Sequence, residues 1–227
     1  MSEPFTFRKI EVPELLEEAY RLRFQVYCKE CNFFRESDCP EGYETDEYDQ
    51  DSIHLGAFDS QGILVGAVRL ILPSCEKFPI EKYCPVLNLN IDIAGRKEYA
   101  EISRLAISKL HRRRMIDEFS SEPQIIENSS LCIRRVSSIA MGLCCLLHEE
   151  CSNAGIKYCL ALMERPLSLL LKLHGFVFQT IGPEIDFYGK VAPYLLDVVE
   201  NEKKGLFRIT ESYPHGREIH LQKDRFS

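Results

Sequence analysis

From Ile63 to Leu72 the chain reads Ile-Leu-Val-Gly-Ala-Val-Arg-Leu-Ile-Leu, apolar at almost every position. An earlier apolar run, Ile53 to Phe58, leads into it across the short turn Asp59-Ser-Gln-Gly62. Two such runs joined by a Gly-containing turn form a β-hairpin. A strand with no polar alternation is one covered on both faces. The hairpin therefore belongs in the middle of a layered structure. Arg69 interrupts its second strand, and a guanidinium there is costly unless an acid pairs with it, so the fold has to bring it a partner.

The rest of the chain supplies the layers. Phe5 to Ile10 alternates and reads as a first strand. Pro13 suits a first helical position, where its missing N–H would be unpaired in any case. From there to about Cys31, Leu15, Ala19, Leu22 and Val26 recur at helical spacing, with Tyr20, Phe24 and Tyr27 widening the stripe. Tyr99 to Ser108 is a strand candidate containing Glu101, Ser103 and Arg104. Ser129 or Ser130 can cap a long helix with the stripe Leu131, Val136, Ile139, Ala140, Leu143 and Leu147, stopped by Asn153-Ala-Gly155. A strand over 157–163, a helix over 166–174 ending at Gly175, and strands over 176–181 and 190–199 complete the order β-α-β-β-β-α-β-α-β-β. This is an α/β (α+β) pattern of helices on a mostly antiparallel sheet, and the 227 residues suit a single domain over 1–227.

Charge and cysteine usage narrow the function classes. Eight acids (Glu36, Asp38, Glu41, Glu44, Asp46, Glu47, Asp49, Asp51) and one base lie between Arg35 and Asp51, which accounts for the whole formal charge of −7. The basic residues gather at Lys109, His111, Arg112, Arg113 and Arg114. That run is short and free of interleaved aromatics, so nucleic-acid binding is not expected. No apolar run approaches the roughly 20 residues of a membrane span, and Met1 to Lys9 shows no export signal. A cytoplasmic location follows as the expectation. The 10 cysteines then read as reduced thiols acting as small hydrophobes. Cys28-x-x-Cys31, with Cys39 beyond, begins a zinc pattern that no second CxxC or HxxxH completes, so no metal is expected.

The informative residues are charges inside apolar segments: Arg69, Glu101 and Arg104, with Arg23 on the first helix and Asp46 and Asp49 just before the hairpin. Either they form a buried ion-pair network that fixes the acidic loop to the sheet, or the network also lines a cleft that orients an amine and its acyl donor. His54 opens a strand beside the loop and could approach that cleft. Glu101 can take a proton from an amine, or simply act as counter-ion to Arg104 or Arg69. Arg69 and Arg104 can grip an acceptor carboxylate in forked hydrogen bonds, or pair with Asp46 and Asp49. Tyr27, Phe33 and Phe34 either wall an acceptor site or belong to the core. Residues 101 and 104 are three apart and face opposite sides of a regular strand, so one cleft can use both only if a bulge intervenes close to Ser103.

Four blocks, Arg21-Leu-Arg23-Phe-Gln-Val26-Tyr27, Glu44-Thr-Asp46-Glu-Tyr48-Asp49, Gly66-Ala-Val-Arg69-Leu70 and Glu101-Ile-Ser103-Arg104, resemble in order the signature blocks of the autoinducer (N-acyl-homoserine-lactone) synthases, a branch of the GNAT acyltransferases. The ending Tyr188-Gly-Lys-Val-Ala-Pro-Tyr194-Leu-Leu-Asp197 is more similar to the PEP-CTERM/exosortase-associated acyltransferases and the N-acyl amino acid synthases. The resemblance implies a GNAT-like acyl-CoA N-acyltransferase fold, with splayed strands and helices on both sheet faces. It implies transfer of a fatty acyl group from acyl carrier protein, or coenzyme A, to the amine of an amino acid or related small acceptor. Acyl-phosphopantetheine is then a co-substrate, and no tightly bound cofactor is implied. Glu101, Ser103 and Arg104 carry over as catalytic positions; Arg23, Tyr27, Phe33, Phe34, Asp46, Asp49 and Arg69 carry over as substrate-binding positions.

Two departures qualify the resemblance. The chain has no Trp, which the family usually places after the first block, so S-adenosylmethionine as substrate is the alternative rather than the first expectation. The stretch Ser108-Lys-Leu-His-Arg-Arg-Arg-Met115 has no glycine, although GNAT acetyltransferases cradle pyrophosphate there with a Gly-rich loop. Lys109, Arg112, Arg113 and Arg114 suit the docking of an acidic carrier protein instead. A non-catalytic module that binds an acyl ligand or carrier is the reading from a different class.

Overall fold

The structure, a computed structural model, describes residues 5–84, 95–109 and 130–203. Strand β1 (Thr6–Lys9) leads to α1 (Pro13–Phe24), which begins at Pro13 as its fixed φ favours. The hairpin β2 (Ser52–Phe58) and β3 (Leu64–Ile71) turns where expected. The Asp59 Oδ1 accepts the N–H groups of Gln61 and Ile63, both at 2.9 Å, and Gly62 takes the positive φ of 78° that closes the turn. There follow α2 (Pro79–Tyr83), β4 (Tyr99–Ile107), α3 (Ser130–Asn153), β5 (Tyr158–Met163), α4 (Arg165–Leu173), β6 (Phe178–Thr180), β7 (Ile185–Asp186), β8 (Lys190–Asp197) and α5 (Val198–Lys203).

The strands lie in the order β1-β2-β3-β4-β5-β8-β6, with β7 on β8. All pairs are antiparallel except β4 with β5. Every residue of β3 is buried, as its unbroken apolar run requires. On one face α3 places Ile139, Leu143 and Leu147 against Phe7, Leu55 and Val68. On the other, α1 covers Phe58, Leu64 and Ala67 with Ala19, while Phe78 and Ile80 cover Ile71 and Leu160. The sheet is thus clothed on both sides.

Two irregularities position the site. Pairing of β4 with β5 runs from Tyr99↔Tyr158 to Ile102↔Ala161 and stops, so the strands part beyond it. Against β3, Arg69 pairs with Ser103 but Ala67 pairs with Ala106; β4 therefore carries one extra residue there, and Arg104 takes a φ of 53°. This is the bulge that the three-residue spacing of Glu101 and Arg104 demands.

Some elements differ from the sequence reading. The first helix does not run unchanged to Cys31: at Gln25 it widens into a π-helical turn, Gln25–Glu30, with the Cys31 N–H donating to the Val26 carbonyl at 2.9 Å. The last strand does not reach Val199. The Asp197 Oδ1 accepts the Glu200 N–H at 2.8 Å, and this side-chain bond starts α5 despite two consecutive valines. The short elements α2 and β7 fall below the length at which periodicity registers. Leu131 and Val136 of the expected α3 stripe, and Arg112, Arg113 and Arg114, lie outside what is described.

Gly142 of α3 sits against the ring of Phe7, where an added Cβ would come within 2.1 Å of Cζ. Gly142→Ala should lower stability by about 2 kcal/mol, because overpacking outweighs the ~1 kcal/mol gain in helix propensity. Chemical denaturation measures the difference, and an unchanged or raised midpoint would contradict this packing.

Candidate active site

Three arginines and three acids meet from four places in the chain. Arg23 comes from α1, Arg69 from β3 and Arg104 from the bulge of β4, while Glu44, Asp46 and Asp49 come from the acidic loop. Arg23 donates to Glu44 at 2.6 Å and to Asp49 at 2.6 and 3.2 Å. Arg104 donates to Glu44 at 3.0 and 3.1 Å and to Asp46 at 3.0 Å. Arg69 donates to both oxygens of Asp46 and, at 2.7 Å, to Asp49. The contacts close into a ring of alternating sign: Arg23, Glu44, Arg104, Asp46, Arg69, Asp49 and back to Arg23. Its formal charge is zero. Arg23 and Arg69 are each only 1% exposed, so neither charge has water to fall back on.

The loop also folds onto itself. Asp46 N–H donates to the Asp49 carboxylate at 2.8 Å, and Tyr48 N–H to that of Asp46 at 3.0 Å. Burial by itself would raise the Asp49 pKa, but Arg23 and Arg69 outweigh it and bring it down to about 2. Asp46 is likewise lowered, its burial outweighed by Arg69 and Arg104. His54 stands behind the ring, with Nε2 3.3 Å from the Asp49 carbonyl oxygen, and its ring packs edge-on to Tyr20. Burial lowers its pKa and keeps it neutral.

Beside the ring, the gap between β4 and β5 opens into a cavity of about 580 Å³. Glu101, Ser103, Arg104, Asp46, Tyr27, Phe33 and Phe34 all line it. Arg23, Asp49 and Arg69 do not; they form the second row that holds Asp46 and Arg104. One end of the cavity is apolar, with Cys144 and Leu147 of α3 facing Ala161 and Met163 of β5.

Glu101 is the exception among the charges. It is 3% exposed and pairs with neither arginine; its Oε2 accepts the Ile80 N–H at 2.8 Å. The counter-ion alternative therefore does not hold, because both arginines are turned into the ring. Burial pushes the Glu101 pKa up to about 8, against the opposing pull of the Ile80 N–H and of Arg69 and Arg104. Ser103 Oγ accepts from Arg69 Nε at 3.0 Å, which leaves its own hydrogen free to donate. Tyr27 donates to the Leu105 carbonyl at 2.9 Å, and Arg104 lies over the Phe34 ring at 5.1 Å.

Residues 22–135 match the family model described as the acetyltransferase (GNAT) domain. The chain belongs to the GNAT acetyltransferase family. It is an acyltransferase, with a fold shared by autoinducer synthases. TofI, solved in a ternary complex with an inhibitor and MTA, aligns over 86% of this chain and 91% of its own, at 14% identity and TM-score 0.64. BjaI, described as a CoA-dependent acyl-homoserine lactone synthase and solved with SAM and isopentyl-CoA, gives 20% identity and TM-score 0.64 over 89% and 87%. FeeM, an N-acyl amino acid synthase from uncultured soil microbes, gives 18% and 0.58 over 89% and 95%. No curated protein matches.

Sequence reasoning missed several residues of the GNAT cavity. Glu44, the link between Arg23 and Arg104, stood in the acidic loop among seven other acids with nothing to single it out. Tyr83, Phe187 and Tyr188 also line the cavity, but they come from segments without periodicity. Among the described residues no three His, Cys, Asp or Glu side chains are grouped to hold a metal, and no two cysteines form a disulfide, Cys28 Sγ lying 4.0 Å from Cys39 Sγ. No described helix is long and apolar enough to cross a membrane.

Glu44→Gln leaves Arg23 and Arg104 facing one another without a carboxylate between them. It should cost about 3–5 kcal/mol of stability in denaturant, whereas Lys157→Gln, at an exposed pair with Glu98, should leave the midpoint nearly unchanged. For Asp49, depression from 3.8 to about 2 means that its contribution is complete above the unfolded value and is lost as pH falls through the folded one. Thermal unfolding between pH 5 and pH 2, a window of about 3 units, should show that loss in the native chain.

Proposed function

We propose that this GNAT acyltransferase moves a fatty acyl group from a phosphopantetheine thioester to the amine of a small acceptor. The observation that carries the reading is Glu101: a buried carboxyl with no counter-ion among the described residues, facing a cavity that is apolar on one side and aromatic on the other. An amine must be neutral to attack a thioester, yet an α-amino group titrates near about 8. The Glu101 carboxylate takes that proton, and its raised pKa matches the task, since an effective base has a pKa close to the working pH. The amine nitrogen then bonds to the thioester carbon. Ser103 and the backbone N–H groups on the unpaired edge of β4 stabilise the oxyanion. The proton first taken by Glu101 is released to solvent, and when the carbon–sulfur bond breaks the surplus proton on the acylated nitrogen passes by way of Glu101 to the departing thiolate, giving amide and thiol. The acyl chain lies between α3 and β5.

The donor we favour is acyl carrier protein. Lys109 is exposed, and the basic residues that follow suit an acidic carrier better than a glycine-free loop suits free coenzyme A. Coenzyme A is the second reading, favoured because BjaI and MesI, which share this fold, are described as CoA-dependent. Of the acceptors the sequence suggests, an amino acid loses the two-arginine clamp expected for its carboxylate: every nitrogen of Arg69 already donates, to Asp46, Asp49 or Ser103.

Glu101→Gln should lower kcat by roughly 10²–10⁴-fold, with the donor still binding. The kcat/KM of the native protein should rise with pH and level off above about 8, as the free carboxyl ionises. Thiol release, followed with a chromogenic reagent, reads both. Full activity of the Gln variant would remove Glu101 as the base. Charge reversal at Arg112, Arg113 and Arg114 should raise KM for a carrier-bound acyl donor tenfold or more and leave kcat unaltered; an unchanged KM would turn the donor assignment to coenzyme A.

A further inference from the structure

The cavity carries an uneven charge that acyl transfer alone does not explain. Among the described residues lining it, Arg104 is the one cation, and it is already held by Glu44 and Asp46. Beyond the neutral ring the lining still includes Asp38, Glu47, Glu101 and Glu164. Lys82 answers Glu47 at 3.3 Å. Asp38 and Glu164 have no ion pair among the described residues. The Glu164 carboxylate lies beside the β7–β8 turn, 3.9 Å from where a Cβ on Gly189 would stand.

That turn carries one half of an aromatic wall. Tyr188 packs on Phe33 at 5.8 Å, on Phe34 at 5.2 Å and on Phe187 at 4.8 Å, and Phe187 packs on Tyr83 at 4.9 Å. The rings link the segment after the π-helical turn to α2 across the cavity. Ring faces attract cations, more strongly where water is excluded. Aromatic faces with surplus carboxylates and no free cation among the described residues form a surface for positive charge. A carboxylate has no matching place. Arg23 and Arg69 are turned into the ring, and Arg104, through Nε and Nη2, is already answered by Glu44 and Asp46, whose charges a further anion would have to approach.

We infer that the acceptor is an amine with a second cationic centre and no free carboxylate, of the diamine class, its far cation resting on the Tyr188 and Phe187 rings with Asp38 and Glu164 as counter-charges. This rests on the acyl-transfer reading for the reacting end: one nitrogen loses its proton to Glu101 and is acylated, while the other keeps its charge against the wall. The product is a mono-acylated amine that is still cationic.

The test offers the purified protein a dodecanoyl thioester, carrier-bound or on coenzyme A, with four acceptors: 1,4-diaminobutane, n-pentylamine, 5-aminopentanoate and 2-phenylethylamine. Thiol release gives kcat/KM, and mass spectrometry identifies the amide. The diamine should exceed pentylamine at least tenfold and aminopentanoate by more. Asp38→Asn and Glu164→Gln should each narrow the gap between diamine and pentylamine several-fold. Should aminopentanoate or phenylethylamine equal or surpass the diamine, the acceptor class is wrong while acyl transfer stands. If no amine is acylated, the acyl-transfer reading fails, and calorimetric titration of 1,4-diaminobutane into the protein decides the cation site separately. Binding that weakens in Glu164→Gln upholds the site; absence of binding overturns it.

Discussion

Three guanidinium groups withdrawn from water have to be answered by three carboxylates, and the shape of the active region follows from that requirement. Each arginine belongs to a different element, so the ring can close only when α1, β3 and the bulge of β4 are all in place. The acidic loop cannot spread into solvent in spite of its charge, because three of its carboxylates are the counter-ions of an otherwise untenable interior. Folding and site assembly are thus one event. Removal of a single member is more damaging than removal of an exposed pair, since it leaves the buried ring with one charge uncompensated.

The ring also settles what the neighbouring groups are able to do. By absorbing the positive charge of Arg69 and Arg104 it leaves Glu101 paired with neither, and burial then dominates its proton affinity. Asp49 and Glu101 are carboxyls with opposite fates, one lowered and one raised: Asp49 touches two guanidiniums, whereas the more deeply buried Glu101 touches a single backbone N–H. Environments that separate the proton affinities of like groups are how one fold obtains both a permanent charge and a titrating group.

Much of the fold was legible from the sequence because the signals were local. The unbroken apolar strand, the Asp-Ser-Gln-Gly turn, the proline at the start of α1 and the glycine after α4 each act within a few residues. The bulge was legible for a different reason: Glu101 and Arg104 could not share a cleft without it. What escaped depends on partners remote in the chain. The π-helical turn changes no composition, and the helix at Val198 starts because of an aspartate side chain that wins over β-branched neighbours. Of the six charged positions singled out in the sequence, five join the ring and Glu101 stands beside it, and only Asp46, Arg104 and Glu101 face the cavity. Glu44 was hidden by numbers, one acid of eight, and the aromatic wall by dispersal, since Phe33, Tyr83 and Tyr188 are far apart in the chain.

The extra residue in β4 bears on how such a chain can vary. Ser103 is in register with Arg69, and Ala106 with Ala67, so the surplus is confined to Arg104 and Leu105. A deletion there would restore regular pairing and turn Arg104 to the opposite side of the sheet, opening the ring without altering any of its six side chains. The spacing between Glu101 and Arg104 is therefore as much a component of the site as either residue, and length changes are expected to accumulate in the connections outside β4 while this interval keeps its count.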